Sequence, residues 1–273
     1  MLYRPLEYSG LDPAKFNLMR APVASIDNMH VPHHYEVFLN HPDFAKPDDE
    51  LCSGGWVIGR CAYLGQTGWF DELALDMALC ELHGESSTPL SVNVSPASAC
   101  DRRFLSVMDS MLADNSAVLD RLTLELTETA NRVPNHCLYD FVYRAQEHGV
   151  HVYLDDIGRG RFAVDHIDPM LLDLCDGIKF AGGYVGEAIS GCPEGWQQRR
   201  AMRRFAEEAY RMGKTITIEG VHHLDCLRWL VKEGIPFDYV QPGKRSTLQD
   251  IIKPRADQKM DGGNAVREGQ RLG

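Results

Sequence analysis

Short runs of aliphatic and β-branched residues recur along the chain, and each run ends in a polar or charged residue. The runs cover 90–93, 122–125, 150–156, 177–179, 215–219 and 237–241. Their composition is typical of buried strands. Between 22 and 40 residues separate consecutive polar ends, a spacing that suits a strand followed by a helix.

Segments with helical spacing lie between several of these runs. Segments 72–82 and 205–212 each place apolar side chains on one helical face, and segment 223–232 ends just before Gly234, a residue suited to closing a helix. The apolar positions are Leu75, Ala78, Leu79 and Leu82, then Phe205, Ala209 and Met212, then Leu224, Leu227, Leu230 and Val231. Alternating strands and helices predict a parallel sheet.

The position of the polar residues favours one architecture over another. Active sites of (β/α) barrels are built at the carboxyl ends of the strands, which is where each run ends here. We therefore expect an α/β fold, a single TIM-like (β/α) barrel, with a doubly wound open sheet as the alternative. The predicted division is an extension over 1–16, the barrel over 17–252 and a polar, flexible tail over 253–273.

Composition narrows the class of protein. The chain is 44% hydrophobic with a net charge of -11, which disfavours a binder of duplex nucleic acid because such proteins carry a basic face. No apolar stretch is long enough for a membrane span, and the start lacks the features of a secretory signal, so a cytoplasmic location is expected. The eight cysteines form no C-x-x-C pair and are interpreted as reduced thiols, with a secreted, bridged protein as the alternative.

The polar ends form a set with one chemistry. If one barrel rim collects them, their oxygen atoms would suit hard cations such as Mg²⁺ or Mn²⁺, and so many carboxylates could not converge without cations. For any single member, a helix cap or a loop ion pair is the commoner role. The set comprises Glu36, Asn93, Glu125, Asp155, Asp156 and Glu219, joined by Lys179 and Gln241.

Seven segments together resemble the EAL domain family. Residues 35–39 resemble its E-x-L signature, and 91–96 resemble N-x-S-P. Residues 125–128 match E-x-T-E, and 154–158 resemble L-D-D-F-G. Residues 178–179 are similar to the K-I-D strand, 218–221 to A-E-G-V, and 239–241 to V-Q-G-Y. The segments occur in family order across about residues 17 to 246.

The resemblance implies a function and a role for each residue. The expected reaction is hydrolysis of cyclic di-GMP to linear pGpG, by in-line attack of a water activated by two divalent metal ions. Lys179 would position or polarise that water, Gln241 would support the site, and Glu128 would anchor the loop after the Asp-Asp pair. One metal ion would take Glu36, Asn93, Glu125 and Asp155, and the other would take Asp155, Asp156 and Glu219.

Departures from the family pattern leave a second interpretation open. Phe38 and Asn40 occupy positions expected to contact substrate, but Asn40 stands where the family has arginine. Ala181 and His222 replace family carboxylates, and the loop 157–163 differs from F-G-T-G-Y-S-S. The chain is thus either an active phosphodiesterase or a degenerate module that binds cyclic di-GMP or a protein partner. A homodimer also remains open.

Three further groups have ordinary structural explanations. His30, His33 and His34 could clip a metal ion, but a solvated turn is the favoured interpretation. An arginine run is expected on a solvated helix face, and the tryptophans are expected in the core or at a rim. The run is Arg199, Arg200, Arg203 and Arg204, and the tryptophans are Trp56, Trp69, Trp196 and Trp229.

Overall fold

The chain folds into a closed barrel of eight strands arranged in sequence order. The structure is a computed structural model, and it describes residues 13–42, 67–128, 133–190, 192–243 and 246–252. The predicted tail over 253–273 lies outside the described residues. The strands are β1 (Asn17–Ser25), β2 (His34–Asn40), β3 (Leu90–Val94), β4 (Leu122–Leu126), β5 (His151–Ile157), β6 (Gly177–Phe180), β7 (Thr215–Val221) and β8 (Tyr239–Pro242).

Helices follow most strands, as the alternating pattern predicts. They are α1 (Thr67–Leu82), α2 (Pro96–Ala99), α3 (Arg102–Asp114), α4 (Asn135–Glu147), α5 (Pro169–Leu174), α6 (Gly182–Ile189), α7 (Pro193–Arg211), α8 (Leu224–Lys232) and α9 (Leu248–Ile252). Single 3₁₀ turns occupy Pro13–Lys15, Ser116–Arg121 and Gly160–Phe162. The predicted α/β barrel is thereby confirmed. Within the described residues, no helix is long and apolar enough to cross a membrane.

The prediction of a parallel sheet is wrong for the first strand. β1 pairs antiparallel with both β2 and β8, while the other neighbouring strands pair in parallel. A parallel pair needs a crossover of about a dozen residues or more, and the segment 26–33 between β1 and β2 is too short for one. It instead turns back directly, starting with the hydrogen bond from Asn28 N–H to Ser25 C=O.

The two faces of the barrel wall differ in chemistry. Because side chains alternate along a strand, Leu124 and Glu125 point to opposite sides of β4. The outward side chains and the inner faces of the helices form one continuous apolar core, which includes Leu124, Ile178 and Ile216. The inward face carries buried polar groups, among them Ser91, Glu125, Lys179 and Thr217.

Candidate active site

Seven of the predicted site residues meet inside the barrel near the carboxyl ends of their strands. Register places Asn93 of β3 directly beside Glu125 of β4. The others are Glu36 of β2, Asp155 of β5, Lys179 of β6, Glu219 of β7 and Gln241 of β8. Their strands adjoin around the closed barrel, so residues far apart in sequence share one site.

Lys179 lies at the centre of this group. Its side chain is 1% exposed, and its ammonium is ion-paired with four carboxylates. Burial alone would lower the pKa of Lys179, but the carboxylates raise it well above its ordinary range. Lys179 is therefore a fixed positive charge. From Nζ the distances are 2.9 Å to Glu36 Oε2, 2.6 Å to Glu125 Oε2, 3.1 Å to Asp155 Oδ1 and 2.9 Å to Glu219 Oε1.

Of the four carboxylates around Lys179, Glu36 has the most hydrogen-bond donors around it. Asn93 Nδ2 donates to its Oε1 at 2.6 Å, and Gln241 Nε2 donates to its Oε2 at 2.8 Å, beside the Lys179 contact. Burial would raise the pKa of Glu36, but Lys179 and these donors together lower it. Glu36 is consequently held as a carboxylate, with its orientation fixed by two amides.

The remaining carboxylates are under-compensated. Burial, followed by repulsion from Glu36, raises the pKa of Glu125 to about 8. Burial also raises the pKa values of Asp155 and Glu219, and in both cases this effect exceeds that of Lys179. One ammonium does not balance three buried carboxylates and the half-buried Glu219, so the site favours protons or additional cations.

The unpaired oxygens of the site fit a divalent cation. Carboxylate oxygens of Glu36, Glu125 and Asp155 lie within 4.8 Å of one another. Among the described residues, no well-aligned hydrogen-bond donor reaches Asn93 Oδ1, Glu125 Oε1, Asp155 Oδ1 or Gln241 Oε1. Asp155 Oδ1 is ion-paired with Lys179. Buried oxygen acceptors without donors are the ligands that Mg²⁺ and Mn²⁺ prefer.

Asp156 lies beside this group but faces a different partner. The register of β5 shifts between Leu154 and Ile157, and Asp156 adopts φ 55° there. Such a bulge re-aims side chains at a strand end. A hydrogen bond joins Asp156 to Glu128, and burial, then Asp155, then Glu128 raise the pKa of Asp156 to about 7.

The loop after Asp156 packs on Glu128. A Cβ built on Gly160 would lie 3.1 Å from Glu128 Cγ, so only glycine allows this approach without adjustment. Arg161 Nη1 donates to the Val133 carbonyl at 2.9 Å, and Nη2 donates to Asn135 Oδ1. Glu128 therefore contacts the loop that it was expected to anchor, while Arg161 ties the loop to the start of α4.

Glu219 also sits at an irregular strand end. β7 changes register between Ile218 and Val221, and Gly220 has φ 66°. A Cβ on Gly182 would lie 2.8 Å from Gly220 Cα, so the turn after β6 packs directly on backbone beside Glu219. Both bulges of the barrel thus fall at predicted carboxylate positions.

Phe38 and Asn40 share a strand face with Glu36. Since side chains alternate, positions 36, 38 and 40 of β2 point to the same side. Both residues are half-buried and lie further toward the carboxyl end than Glu36. A ligand entering from that end would meet them first.

The two positions at which the resemblance leads one to expect carboxylates differ in burial. Ala181 is fully buried and begins α6 without a side-chain cap. His222 is exposed after β7, and its Nδ1 lies 3.0 Å from Ser246 Oγ. Neither side chain supplies a carboxylate to the site.

His34 belongs to the barrel interior, and sequence reasoning missed it. The expected solvated turn is wrong for this residue because β2 begins at His34, two positions before Glu36 on the same face. Burial, then His33, then Lys179 lower the pKa of His34 to about 3, so it is neutral. Counting back in steps of two from Glu36 would have found it.

Two other surface assignments need correction. Trp196 is 61% exposed on α7, so its placement in the core or at a rim is wrong, whereas Trp69 and Trp229 do pack against the core. Trp56 lies outside the described residues. Arg199 is half-buried against the Trp229 ring, with its Cζ 5.0 Å from the ring centroid, while the other three arginines of the run are exposed as expected.

Comparison with known proteins identifies the fold family. The chain resembles Vibrio cholerae LapD S helix-GGDEF-EAL in its apo form, with a TM-score of 0.68, 17% identity, and coverage of 84% of this chain and 53% of that chain. It spans about half the length of that relative. For the Xanthomonas citri FimX EAL domain in complex with c-diGMP, the TM-score is 0.64, the identity is 19%, and coverage is 84% and 86%.

A third structure is similar over nearly its whole length. The PaMucR phosphodiesterase in complex with c-di-GMP gives a TM-score of 0.66 at 18% identity, with coverage of 84% of this chain and 94% of that chain. No curated protein matches the sequence. The EAL domain family model matches residues 62–241, well over half of the 273 residues, and the chain therefore belongs to the EAL domain family.

Proposed function

We propose that this EAL domain chain hydrolyses cyclic di-GMP to linear pGpG and requires Mg²⁺ or Mn²⁺ to do so. The observation that carries the proposal is the group of four carboxylates around Lys179, three of them buried, with acceptor oxygens that lack donors among the described residues. The ligand is proposed because similar folds, FimX and PaMucR, are described in complex with c-di-GMP.

Two sets of residues would hold the metal ions. Glu36, Asn93, Glu125 and Asp155 would hold one, and Asp155, Asp156 and Glu219 would hold the other. When bound, the two ions would lower the pKa of water and offset charge on the phosphoryl oxygens. For Asp156 to join the second set, it would have to exchange its hydrogen bond with Glu128 for a metal ligand role.

The chain's own residues orient the reacting groups. Lys179 keeps its proton and can donate from Nζ to a water or a phosphoryl oxygen once one carboxylate contact is given up. Asn93 and Gln241 hold Glu36 through their amide nitrogens, which leaves their amide oxygens facing the site. Phe38 and Asn40 would meet the substrate, since they lie beyond Glu36 on the same strand face.

A second candidate function is binding without hydrolysis. The observation that favours it is the lack of carboxylates at positions 181 and 222, where the side chains are a buried alanine and an exposed histidine bonded to Ser246. Such groups orient metal ligands, and their loss typically reduces metal affinity or activity about 10- to 100-fold. That reduction is compatible with a slow enzyme, so hydrolysis remains the better-supported function.

One experiment separates the two functions. The chain is incubated with cyclic di-GMP and Mn²⁺, and pGpG is quantified by chromatography with and without a chelator. We expect metal-dependent pGpG from the wild type and none from Glu36→Ala or Asp155→Ala. Both variants should keep unfolding midpoints near wild type, because each removes a site carboxylate and leaves the apolar core intact. An exposed helix-end substitution, Asp114→Ala, is the matched control.

Calorimetry with cyclic di-GMP and Ca²⁺ distinguishes the remaining outcomes. If the chain binds cyclic di-GMP tightly but forms no pGpG at any Mn²⁺ concentration, the proposed hydrolysis is wrong and the chain is a binding module. Absence of both binding and hydrolysis would remove cyclic di-GMP as the ligand.

A further inference from the structure

Two cysteines that are 37 residues apart in sequence lie together where α2 packs against α4. Cys100 directly follows α2 as its C-terminal cap, and its N–H donates to the Pro96 carbonyl at 3.2 Å. Cys137 lies in the first turn of α4, where its N–H donates to the Pro134 carbonyl at 3.1 Å. The backbones of α2 and α4 approach to within 8 Å. Both thiols are free and half-buried.

The side chains of these cysteines interact. Burial raises the pKa of the Cys100 thiol to about 12, and a side-chain hydrogen bond with Cys137 adds to this effect. The guanidinium of Arg161 acts in the opposite direction, lowering the pKa of the Cys100 thiol, which shows that Arg161 lies near it. Other described cysteines have different neighbours: Cys192 Sγ lies 3.0 Å from Ser190 Oγ, and Cys226 contacts His223.

We propose that Cys100 and Cys137 form a reversible disulfide in response to hydroperoxides, which makes them a redox modification site. A disulfide requires Cα atoms about 4.4 to 6.8 Å apart. Cα atoms of α2, which Cys100 directly follows, approach those of α4, which contains Cys137, to within 8 Å. Half-burial leaves the sulfurs accessible to a small oxidant. In a reducing compartment the pair would rest as thiols and oxidise transiently.

The chemistry assigns different roles to the two sulfurs. Cys137 is assigned as the attacking residue because burial raises the pKa of the Cys100 thiol, which keeps Cys100 protonated and less reactive. The Cys137 sulfur attacks one oxygen of the hydroperoxide and breaks the O–O bond, which gives a sulfenic acid and, after proton transfer, one water or alcohol. Cys100 then attacks the sulfenic sulfur and expels hydroxide, which takes the Cys100 proton to form water. Two thiols lose two electrons and two protons, and the peroxide is reduced.

The site is connected to the loop that follows Asp156. Arg161 of that loop donates to the Asn135 side chain and the Val133 carbonyl, just before Cys137 on the chain. Cys100 caps α2, the short helix that begins two residues after β3 ends at Val94. A bond between the two sulfurs would tie the segment after β3 to the turn of α4 that holds Arg161.

Peptide mapping of the full chain tests the proposal. Reduced protein is treated with stoichiometric hydrogen peroxide, its thiols are titrated, and non-reduced digests are analysed by mass spectrometry. We expect loss of two of the eight thiols, a cross-linked peptide that joins Cys100 to Cys137, and full recovery after dithiothreitol. Cys100→Ser and Cys137→Ser should each lack the cross-link, while the exposed-site control Cys80→Ser should retain it.

The wild-type map alone can overturn the proposal, so it does not depend on how the variants fold. Thiol loss spread over other cysteines, or sulfinic acid without the cross-link, would contradict it. So would an unchanged two-thiol loss in folded Cys100→Ser. Tryptic cleavage after Arg161 should slow in oxidised protein, and equal rates in the two redox states would overturn the connection to the loop.

Discussion

Adjacent residues of β4 show how differently the two faces of the barrel wall are stabilised. Leu124 and Glu125 are both 0% exposed. Leu124 packs into the apolar core between the barrel and its helices, whereas Glu125 lies inside the barrel 2.6 Å from Lys179 Nζ. Burial is identical, but one face is stabilised by apolar contact and the other by charge pairing. A buried position therefore says nothing about function until its chemistry is considered.

The two faces also differ in how complete their interactions are. The outer face forms one continuous apolar cluster. On the inner face, a single ammonium is ion-paired with four carboxylates, and several oxygens lack hydrogen-bond donors among the described residues. The inner face is thus less completely paired than the outer face, and such incomplete pairing is common at functional sites.

Of the changes considered, removal of Lys179 should have the largest effect on stability, because it removes the cation that pairs with the carboxylates of the inner face. Lys179→Met leaves four carboxylates, three of them buried, without their cation. Removal of one partner from a buried charge pair typically costs about 3–5 kcal/mol. We expect a drop of that size in the free energy of unfolding in chelator, measured by urea denaturation. Mn²⁺ should restore more stability to this variant than to the wild type, because the metal ion would offset the charges that Lys179 no longer balances.

A surface lysine provides the control for this prediction. Lys214→Met removes a half-buried lysine whose Nζ donates to the Asp173 carbonyl, and it should cost much less stability than Lys179→Met and leave the response to Mn²⁺ unchanged. If Lys179→Met is as stable as Lys214→Met in chelator, Lys179 does not balance the inner face.

Paired substitutions in β4 should separate the two faces directly. Leu124→Ala opens a cavity in the outer core and should cost about 2–5 kcal/mol of stability while the folded fraction keeps its hydrolytic rate. Glu125→Gln preserves size and should abolish pGpG formation with a smaller change in stability. Urea denaturation and pGpG chromatography on both variants measure the two effects. If Leu124→Ala loses more activity than its unfolded fraction explains, the outer face also contributes to hydrolysis and the proposed separation of the two faces is wrong.

The residues of the inner face could be predicted from the sequence, but the detailed geometry of the barrel could not. Strand ends such as Asn93 and Glu125 could be found because hydrophobic runs end there, and their convergence follows from the barrel. The antiparallel strand β1 could not be found in this way, because its sequence contains Arg20 and Pro22 and shows no clear alternation of buried and exposed residues. The contact between Asp156 and Glu128 depends on a bulge with φ 55°, which strand periodicity does not encode.

A buried carboxylate of the helix layer offers a contrast to the inner face. Asp71 of α1 accepts a hydrogen bond from Ser95 N–H at 2.9 Å, and burial raises its pKa to about 6 from an ordinary 3.8. The folded state therefore holds a proton that the unfolded state has already lost in this range. Stability from Asp71 is fully present below pH about 3.8 and is lost as pH rises through about 6.

Asp71→Asn should remove this pH dependence. The difference in unfolding free energy between wild type and variant should shift by up to about 3 kcal/mol between pH 4 and 7, with the wild type losing stability as pH rises. Denaturation curves at several pH values measure it. Because Asp71 lies outside the barrel interior, Mn²⁺ should leave this difference unchanged. A difference that disappears with Mn²⁺ would assign Asp71 to the inner charge group instead.

The smallest predicted effect tests whether adding the two missing carboxylates at positions 181 and 222 raises activity. Ala181→Asp and His222→Glu, introduced together, add carboxylates just beyond Lys179 and Glu219, and pGpG turnover with saturating Mn²⁺ should rise about 10-fold because groups that orient metal ligands typically contribute that much. The Ala181→Asp change would also cap α6, which now begins without a side-chain cap and could gain about 1 kcal/mol of stability. Ala181→Asn with His222→Gln separates the two effects, since it offers similar hydrogen bonds without the charge. If the amide variant gains as much turnover as the carboxylate variant, capping explains the change and the missing carboxylates do not limit the site.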